Sequence, residues 1–210
     1  MSGVIAIDGP AASGKGTLAR RIAEHLGRPH LDTGLLYRAV ARAMLDRDLV
    51  LTDDLAALEV AETLDLATID EDRLRGAAMG EAASVVSVHV GVRQALLGMQ
   101  RRFAAQPGGA VLDGRDIGTV VCPEAGVKLF VTASAEERAR RRHRELEGRG
   151  ERLPYDEVLS DIRARDARDA ARSAAPMRAA EDAVVLDTTH LDQDAAFARA
   201  LELLLARKAA

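Results

Sequence analysis

Nine consecutive residues near the start of the chain have the composition and spacing of a phosphate-binding loop. Gly9, Gly14 and Lys15 match the pattern G-x-x-x-x-G-K, directly after a short apolar run at positions 4–7. Small residues let successive backbone N–H groups approach phosphate oxygens closely, and a helix that begins after the loop adds its own unpaired N–H groups. The residues predicted to bind nucleotide phosphates in this way are Gly9, Pro10, Ala11, Ala12, Ser13, Gly14, Lys15, Gly16 and Thr17.

Lys15 and Thr17 add a charge and a hydroxyl to this loop. Lys15 is placed to bridge the β- and γ-phosphates of ATP and to stabilise a transferring phosphoryl group. In the standard motif a serine or threonine follows the lysine, whereas here Gly16 follows it and the hydroxyl comes at Thr17. We therefore expect Thr17 to help place Mg²⁺, directly or through water. Loops of this kind occur in GTPases, ATPases, motors and small-molecule kinases, so other residues must decide among these classes.

Arginines further along the chain could bind a second phosphate group opposite the loop. Only three of the 29 basic residues are lysine, which leaves 26 arginines, and a GC-rich genome would produce the same bias. Position is therefore more informative than number: Arg38 and Arg115 each follow a glycine-containing segment, and Arg165, Asp169 and Arg172 share one face of a predicted helix. A planar guanidinium binds two phosphate oxygens at once and keeps its charge, which suits this task.

The composition of the 210 residues excludes several classes of protein. Apolar residues make up 48% and charged residues 30%, which fits neither a disordered chain nor a membrane span. A net charge of −4 and only five aromatic residues argue against a nucleic-acid partner. The single cysteine, Cys122, excludes an internal disulfide framework, and with no secretory signal at the start it favours the cytoplasm.

Apolar runs that alternate with amphipathic segments predict an α/β fold. Strands are predicted at residues 4–7, 109–112, 127–131 and 183–186. Helices are predicted at residues 16–26, 34–48, 81–105 with a break near Gly91, 134–147, 154–172 and at the C-terminus. Strands separated by helices indicate a parallel β-sheet with helices on both faces, and ligands bind such sheets beyond the carboxyl ends of the strands.

Three local expectations complete this prediction. Thr33 is predicted to be the N-cap of the second helix. An amphipathic segment that begins near Thr52 should turn Leu55, Leu58 and Leu64 inward. Residues 65–80 are polar and weakly periodic, so we predict a short excursion there rather than regular structure.

Taken in order along the chain, the motifs resemble the bacterial cytidylate kinases. The matching segments are IDGPAASGKGTLA, LDTGLLYR, VRQALL, DGRDIGTVVCP, ASAEERARRR, RDARDAARSAAP and VVLDTT. DGRDIGTVV and the RDxRD-type helix are specific to this family, because adenylate kinases and eukaryotic uridylate–cytidylate kinases carry a DGFPR-type segment instead. The resemblance implies one P-loop NTPase-type domain over residues 1–210, with an acceptor-binding region at about 34–105 and a helical lid at about 138–172. Family members have a longer insert, with extra strands, where this chain has residues 65–80.

The resemblance also implies roles for individual residues. Those that match catalytic positions are Lys15, Arg115 and Arg172. Those that match residues around the acceptor phosphate are Thr33, Arg38 and Arg115, and Arg172 matches a phosphate-binding arginine. Those that match residues at the cytosine edge are Ser84, Arg93 and Asp116. Arg165 and Asp169 match ribose contacts, and the lid arginines over the donor phosphates are Arg138, Arg141 and Arg142.

The activity implied by the resemblance is transfer of the γ-phosphoryl group of Mg-ATP to CMP, and also to dCMP. Balanced charge and the lack of an obvious apolar patch predict a monomer with no nucleic-acid or membrane partner. Three alternatives remain open at this point. The chain could be a sister kinase for UMP, dTMP or another small acceptor. It could also be an ATP-binding switch without turnover, or a phosphate-binding structural subunit of a complex.

Overall fold

A computed structural model describes residues 2–65 and 70–209 of the chain. Within these residues, five strands form one parallel sheet in the order β2-β3-β1-β4-β5. The strands are β1 (Ser2–Asp8), β2 (His30–Asp32), β3 (Val111–Gly114), β4 (Ala125–Thr132) and β5 (Val184–Asp187). Because all five run in one direction, their carboxyl ends lie along a single edge of the sheet.

Helices connect the strands and cover both faces of the sheet. In the described ranges they are α1 (Lys15–Leu26), α2 (Thr33–Leu45), α3 (Asp54–Glu62), α4 (Ala77–Val86), α5 (Val90–Ala104), α6 (Ala135–Gly148), α7 (Tyr155–Ala171) and α8 (Gln193–Ala209). A 3₁₀ helix covers Glu71–Leu74, and a π-helical turn covers Ile117–Val121.

The alternation of side chains along β1 explains how the sheet is covered. Ile5 and Ile7 point to one face, where they are buried beneath α1 and α8. Val4 and Ala6 point to the other face, where they pack against the end of α5 and the turn Ile117–Val121. Both faces of this central strand are therefore buried, as expected for a parallel sheet.

Two further apolar clusters lie outside the sheet layers. One joins α2, α3, α4 and α5 through buried side chains such as Val40, Val60 and Leu96. The other joins α6 to α7 through Leu146 and Ile162. These two helical units flank the carboxyl edge of the sheet, where the candidate site is found.

The predicted fold class and all four predicted strands are confirmed. The sequence prediction missed β2, which has only three residues, all half-buried, and passes directly into α2. The expected N-cap at Thr33 is wrong: Asp32 is the cap and accepts a hydrogen bond from the backbone N–H of Gly34. Thr33 is instead the buried first residue of α2.

Three other local predictions differ from the structure. Leu55 is 80% exposed rather than inward, because it lies in the first turn of α3 on the solvent side. The helical stretch predicted at 81–105, with a break near Gly91, is two helices, and the break lies earlier, at residues 87–89. The stretch expected to be irregular, residues 65–80, is partly helical, because α4 already begins at Ala77 and buries Met79. Residues 66–69 of that stretch lie outside the described residues.

No single helix in residues 2–65 and 70–209 combines the length and apolar composition needed to cross a membrane. Helices α4 and α5 pass that test only when taken together, with a bend of 102° between them. Both contribute buried side chains, such as Val86 and Leu96, to the cluster that they share with α2 and α3.

Candidate active site

The loop between β1 and α1 has the tight backbone that the sequence predicted. Gly9 has φ 152°, and a Cβ there would lie 2.0 Å from the carbonyl oxygen of Val131. Gly14 has φ 87° and ends the loop as the N-cap of α1. Ala12 adopts φ 58°, a left-handed conformation that costs a non-glycine residue about 1–2 kcal/mol. The chain is therefore bent sharply enough to leave the N-terminus of α1 open toward the loop.

Lys15 lies at the centre of a charged group at the ends of β2 and β3. Its Nζ is 4.0 Å from Oδ2 of Asp113, and Oδ1 of Asp113 is 2.8 Å from Nε2 of His30. Burial, with a further contribution from Arg115, lowers the pKa of Lys15 to about 8. Burial and the neighbouring charge of Asp113 raise the pKa of Asp32 above its usual value. A bound phosphate would oppose this shift and raise the pKa of Lys15, because its negative charge favours the protonated amine.

Two of the three expected lid arginines are tied to the loop backbone. Arg138 forms a two-point ion pair with Asp166 at 2.6 and 3.0 Å and also reaches the carbonyl of Ala11. Arg141 donates to the carbonyl and hydroxyl of Thr188 and lies beside Gly14. Both side chains therefore brace the loop from outside in this structure.

Arg142, the third of these residues, lines a cleft on the far side of Lys15. Five more arginines line the same cleft: Arg38, Arg93, Arg115, Arg165 and Arg172. Burial, reinforced by the charge of Arg115, lowers the pKa of Arg165 to about 9, and burial also lowers the pKa of Arg38. Arg115 pairs with Asp169 and Arg142 with Glu145, yet the charge of Arg115 still lowers the pKa of Arg165. A cluster of cations that repel one another in this way suits an anion such as a phosphate group.

Asp169 joins two of the predicted functional arginines. Its carboxylate is 1% exposed, lies 2.8 Å from Nε of Arg115 and accepts a second bond from Arg172. Burial alone would raise the pKa of Asp169, but Arg115 and Arg172 together hold it below its usual value. The three residues come from the loop after β3 and from α7, so this ion network closes one wall of the cleft.

Asp116 and Arg93 form a second pair at the end of the cleft. Oδ2 of Asp116 is 2.5 Å from a terminal nitrogen of Arg93, and both side chains are 9% exposed. The guanidinium of Arg93 lies 5.5 Å from the ring centroid of Tyr37 and donates to the carbonyl of Ser87. A carboxylate, a guanidinium and an aromatic ring thus meet where a flat polar ring could bind.

The hydroxyl at this end of the cleft belongs to Ser87 rather than to Ser84. Ser87 lines the cleft, accepts a 2.7 Å bond from Arg172 and donates to the carbonyl of Ser84. Ser84 is buried next to Arg168, whose Nε lies 3.3 Å from the Ser84 hydroxyl. Sequence reasoning did not find Ser87, and the only available signal was its place in the break between two helices. Thr33 lines the cleft, but its hydroxyl donates to the carbonyl of Asp113.

The structure thus brings most of the predicted residues together at the carboxyl edge of the sheet. The loop and Lys15 lie on one side, and the arginines with Asp116 and Asp169 lie on the other. Thr17 is exposed in the first turn of α1 and is not among the residues that line the cleft. The arrangement has room for one phosphate group at the loop and another among the arginines, with Lys15 between them, which is what phosphoryl transfer requires.

Comparison with known proteins agrees with this geometry. The model of the family described as cytidylate kinase matches residues 5–205. The chain is 66% identical over 206 residues to the cytidylate kinase of Xanthobacter autotrophicus, covering 98% of this chain and 99% of the relative. It is 69% identical over 180 residues to the cytidylate kinase of a Methylobacterium species, covering 86% of each.

Among solved structures, the fold is similar to that of shikimate kinase from Bacteroides thetaiotaomicron. The TM-score is 0.53 at 15% identity, over 96% of this chain and 98% of that one. A likeness at this identity concerns the fold alone, and it agrees with a P-loop kinase architecture. The family match and the closely similar relatives go further: the chain belongs to the cytidylate kinase family and is a kinase, an enzyme that transfers a phosphoryl group.

Proposed function

We propose that this kinase transfers the γ-phosphoryl group of Mg-ATP to CMP and dCMP, giving ADP with CDP or dCDP, as a step of pyrimidine nucleotide metabolism in the cytoplasm. The observation that carries the proposal is the Asp116–Arg93 pair at the end of an arginine-lined cleft that faces Lys15. Membership of the cytidylate kinase family supports the same substrate.

On the donor side, the backbone of residues 9–17 binds the phosphates of ATP. The positive φ angles at Gly9, Ala12 and Gly14 support this role, because they shape a loop that no extended backbone could form. Ser13 supports it as well, since its buried hydroxyl has no partner in the described part of the chain. Lys15 then stabilises the negative charge that develops on the transferring phosphoryl group.

The donor set also fits Mg²⁺. Magnesium prefers oxygen ligands and keeps several waters, so a single hydroxyl with substrate phosphates is enough to hold it. Thr17 supplies that hydroxyl, and Asp113, whose Oδ2 would lie 3.7 Å from a Cβ at Gly16, can accept hydrogen bonds from the water shell. When bound, the ion neutralises charge on the β- and γ-phosphates.

On the acceptor side, Arg38 and Arg115 bind the phosphate of the nucleoside monophosphate. Arg165, which the family pattern matches to the ribose, lines the same cleft beside these two arginines, and we propose that its charge contributes to phosphate binding as well. A dianion that binds among these guanidinium groups neutralises their mutual repulsion, and this adds to its affinity for the site. Asp169 faces the ribose but is already held by Arg115 and Arg172. Because these ion pairs satisfy the carboxylate without a sugar hydroxyl, we expect the site to accept deoxyribose too.

Asp116 reads the base. An ionised carboxylate only accepts hydrogen bonds, so it favours the exocyclic amine of cytosine over the keto oxygen of uracil. Arg93 can donate to the base oxygen and ring nitrogen while it stays paired with Asp116. A site built around a buried polar contact rejects the wrong partner strongly.

Residues 138–172 act as the lid. The loop between α6 and α7 reaches the acceptor region, where Glu151 accepts a 3.2 Å bond from the N–H of Ala77 and so caps α4. Arg168 on α7 pairs with Glu81 on α4 at 2.5 Å. Closure through these contacts excludes water from the transferring phosphoryl group. Hydrogen exchange across 138–172 should slow when ATP and CMP are added together; unchanged protection would contradict a lid.

The balanced charge of the chain and the lack of an obvious apolar patch in its sequence support a monomer, and the net charge of −4 supports the absence of a nucleic-acid or membrane partner. The mass in solution, measured by light scattering at several concentrations, tests the first point. A mass near 22.4 kDa is expected at every concentration.

The decisive experiment is a coupled ADP-release assay with ATP and CMP, dCMP, UMP or dTMP. CMP and dCMP should give the highest kcat/KM, and Asp116→Asn should narrow the CMP-to-UMP ratio at least about tenfold, because a hydrogen bond to a charged group is worth roughly 1.5–3 kcal/mol. A preference for UMP or dTMP would support a sister kinase, and nucleotide binding without turnover would support a switch.

A further inference from the structure

Asp8 is a buried carboxylate that the proposed mechanism leaves without a role. It is the last residue of β1, and the two-residue alternation of the strand places it on the same face as Val4 and Ala6. That face is apolar and covered, so Asp8 is only 3% exposed. A carboxylate is costly to bury there unless hydrogen bonds satisfy it.

Two backbone N–H groups of the neighbouring loop satisfy this carboxylate. Oδ1 of Asp8 accepts from Ile117 at 2.7 Å, and Oδ2 accepts from Gly118 at 2.8 Å. These donors are the first two residues of the π-helical turn Ile117–Val121. Asp8 therefore caps this turn from another strand, more than a hundred residues away in sequence.

The capping position of the turn itself is occupied by Asp116. Aspartate is among the best capping residues because its side chain folds back onto the first N–H groups of a helix. Here the Asp116 side chain makes no such bond and pairs with Arg93 at the end of the cleft. Either Asp8 or Asp116 could accept hydrogen bonds from the first N–H groups of this turn, and only Asp8 does.

We infer that Asp8 is a positioning residue for base selection: by capping the turn Ile117–Val121 from β1, it releases the side chain of Asp116 to face the acceptor nucleotide. This inference rests on the proposed role of Asp116 as the residue that reads the base. A glycine at position 118 lets the turn approach Asp8 closely, because a Cβ there would lie 3.3 Å from Oδ2 of Asp8 and 3.1 Å from Cδ of Lys128.

The charges around Asp8 make this contact sensitive to pH. Burial raises the pKa of Asp8 to about 7; the Ile117 and Gly118 N–H groups and Lys15 act in the opposite direction, and Asp116 acts in the same direction. Two other groups face it: the thiol of Cys122, whose own pKa it helps to raise, and the side chain of Lys128, whose ammonium pairs with Asp182. A protonated carboxyl can no longer accept from both N–H groups, because one oxygen becomes a donor.

The test is Asp8→Asn, which keeps the shape but turns one of the two acceptors into a donor. We expect the CMP-to-UMP ratio of kcat/KM to fall at least about fivefold, since the Asp116 carboxylate then competes for the N–H group from which Asp8 no longer accepts. In an Asp116→Asn background the same change should leave the ratio nearly unaltered, because the two residues act through one contact. Asp187→Asn is the matched control, as Asp187 also ends a strand but caps an exposed turn at Thr189.

Equal losses on CMP and UMP in Asp8→Asn would overturn the inference and leave Asp8 as a structural residue. If Asp116→Asn alters the ratio in that case, the proposed base-reading role still stands; if it does not, that role fails instead.

If Asp8→Asn does not fold, the wild-type enzyme decides the question. CMP and UMP carry the same phosphate, so its titration cancels from their ratio, and the ratio should fall as pH drops through about 7. A ratio that stays constant across that range would overturn the inference.

Discussion

The donor loop and the acceptor cleft bind the same kind of group by opposite means. The loop uses the backbone of nine consecutive residues, and its side chains other than Lys15 are small. The cleft uses long side chains that arrive from α2, α5, α6, α7 and the loop after β3. A local backbone motif depends on a few φ angles, whereas a side-chain site depends on the packing of every element that contributes to it. Substitutions should therefore act locally in the loop and through neighbours in the cleft.

Lys15→Ala should have the largest effect of any single substitution. It removes a charge that is needed mainly in the transition state, so we expect kcat to fall by about 10²–10³ while the circular dichroism spectrum stays unchanged. Arg20→Ala, an exposed residue of the same helix, serves as the control for lost charge. A variant with kcat near that of the wild type would remove Lys15 from the mechanism and weaken the contrast between the two sides.

Arg165→Gln tests the acceptor side. A lost charged hydrogen bond to phosphate is worth roughly 1.5–3 kcal/mol, so kcat/KM for CMP should fall by about 10- to 150-fold, with a much smaller change in the KM for ATP. Arg163→Gln is the control, because Arg163 is 60% exposed on the same helix and pairs with Glu136. Equal effects on the two substrates would mean that Arg165 supports the fold of the whole site.

Ser84 and Ser87 test whether the family pattern or the tertiary structure identifies the hydroxyl group that serves the acceptor cleft. Ser87→Ala should raise the KM for CMP by about 2- to 12-fold, since the Ser87 hydroxyl acts on the substrate only through Arg172 and a typical intramolecular hydrogen bond contributes roughly 0.5–1.5 kcal/mol. Ser87→Thr keeps the hydroxyl and should restore part of the loss. Ser84→Ala should raise the KM for CMP less than Ser87→Ala does. A larger rise would mean that Ser84, the residue that the family pattern indicates, contacts the base.

The smallest expected effect is a gain in stability. The pKa of Lys15 is about 8 in the folded protein and higher when unfolded, so the unfolded chain binds more protons between those values and stability rises with pH there. At neutral pH the buried charge disfavours folding, and Lys15→Met should raise the Tm by about 2–4 °C for each kcal/mol relieved.

This difference in Tm between Lys15→Met and the wild type should shrink as the pH is raised above the pKa of Lys15. Thermal melts at neutral and alkaline pH measure it. A variant that melts at or below the wild-type temperature at neutral pH would show that the charge is solvated in the folded enzyme.

Most of the donor site followed from the sequence alone. The spacing of Gly9, Gly14 and Lys15 predicted the loop, because the conformation of a tight turn is determined by the residues within it. Four of the strands followed as well, since buried strands of a parallel sheet are continuous apolar runs. Their shared carboxyl edge then indicated where the loop and the segment before Arg115 would meet.

The tertiary structure decided which side chains share the acceptor cleft. Asp8 and Asp116 are both strand-end carboxylates in the sequence, yet one caps a turn inside the protein and the other faces the cleft. Ser84 and Ser87 lie three residues apart, and the break between α4 and α5 turns the second of them toward Arg172. Contacts of this kind join residues that are far apart in the chain, so they depend on how the elements pack, and no local pattern of residue types encodes that.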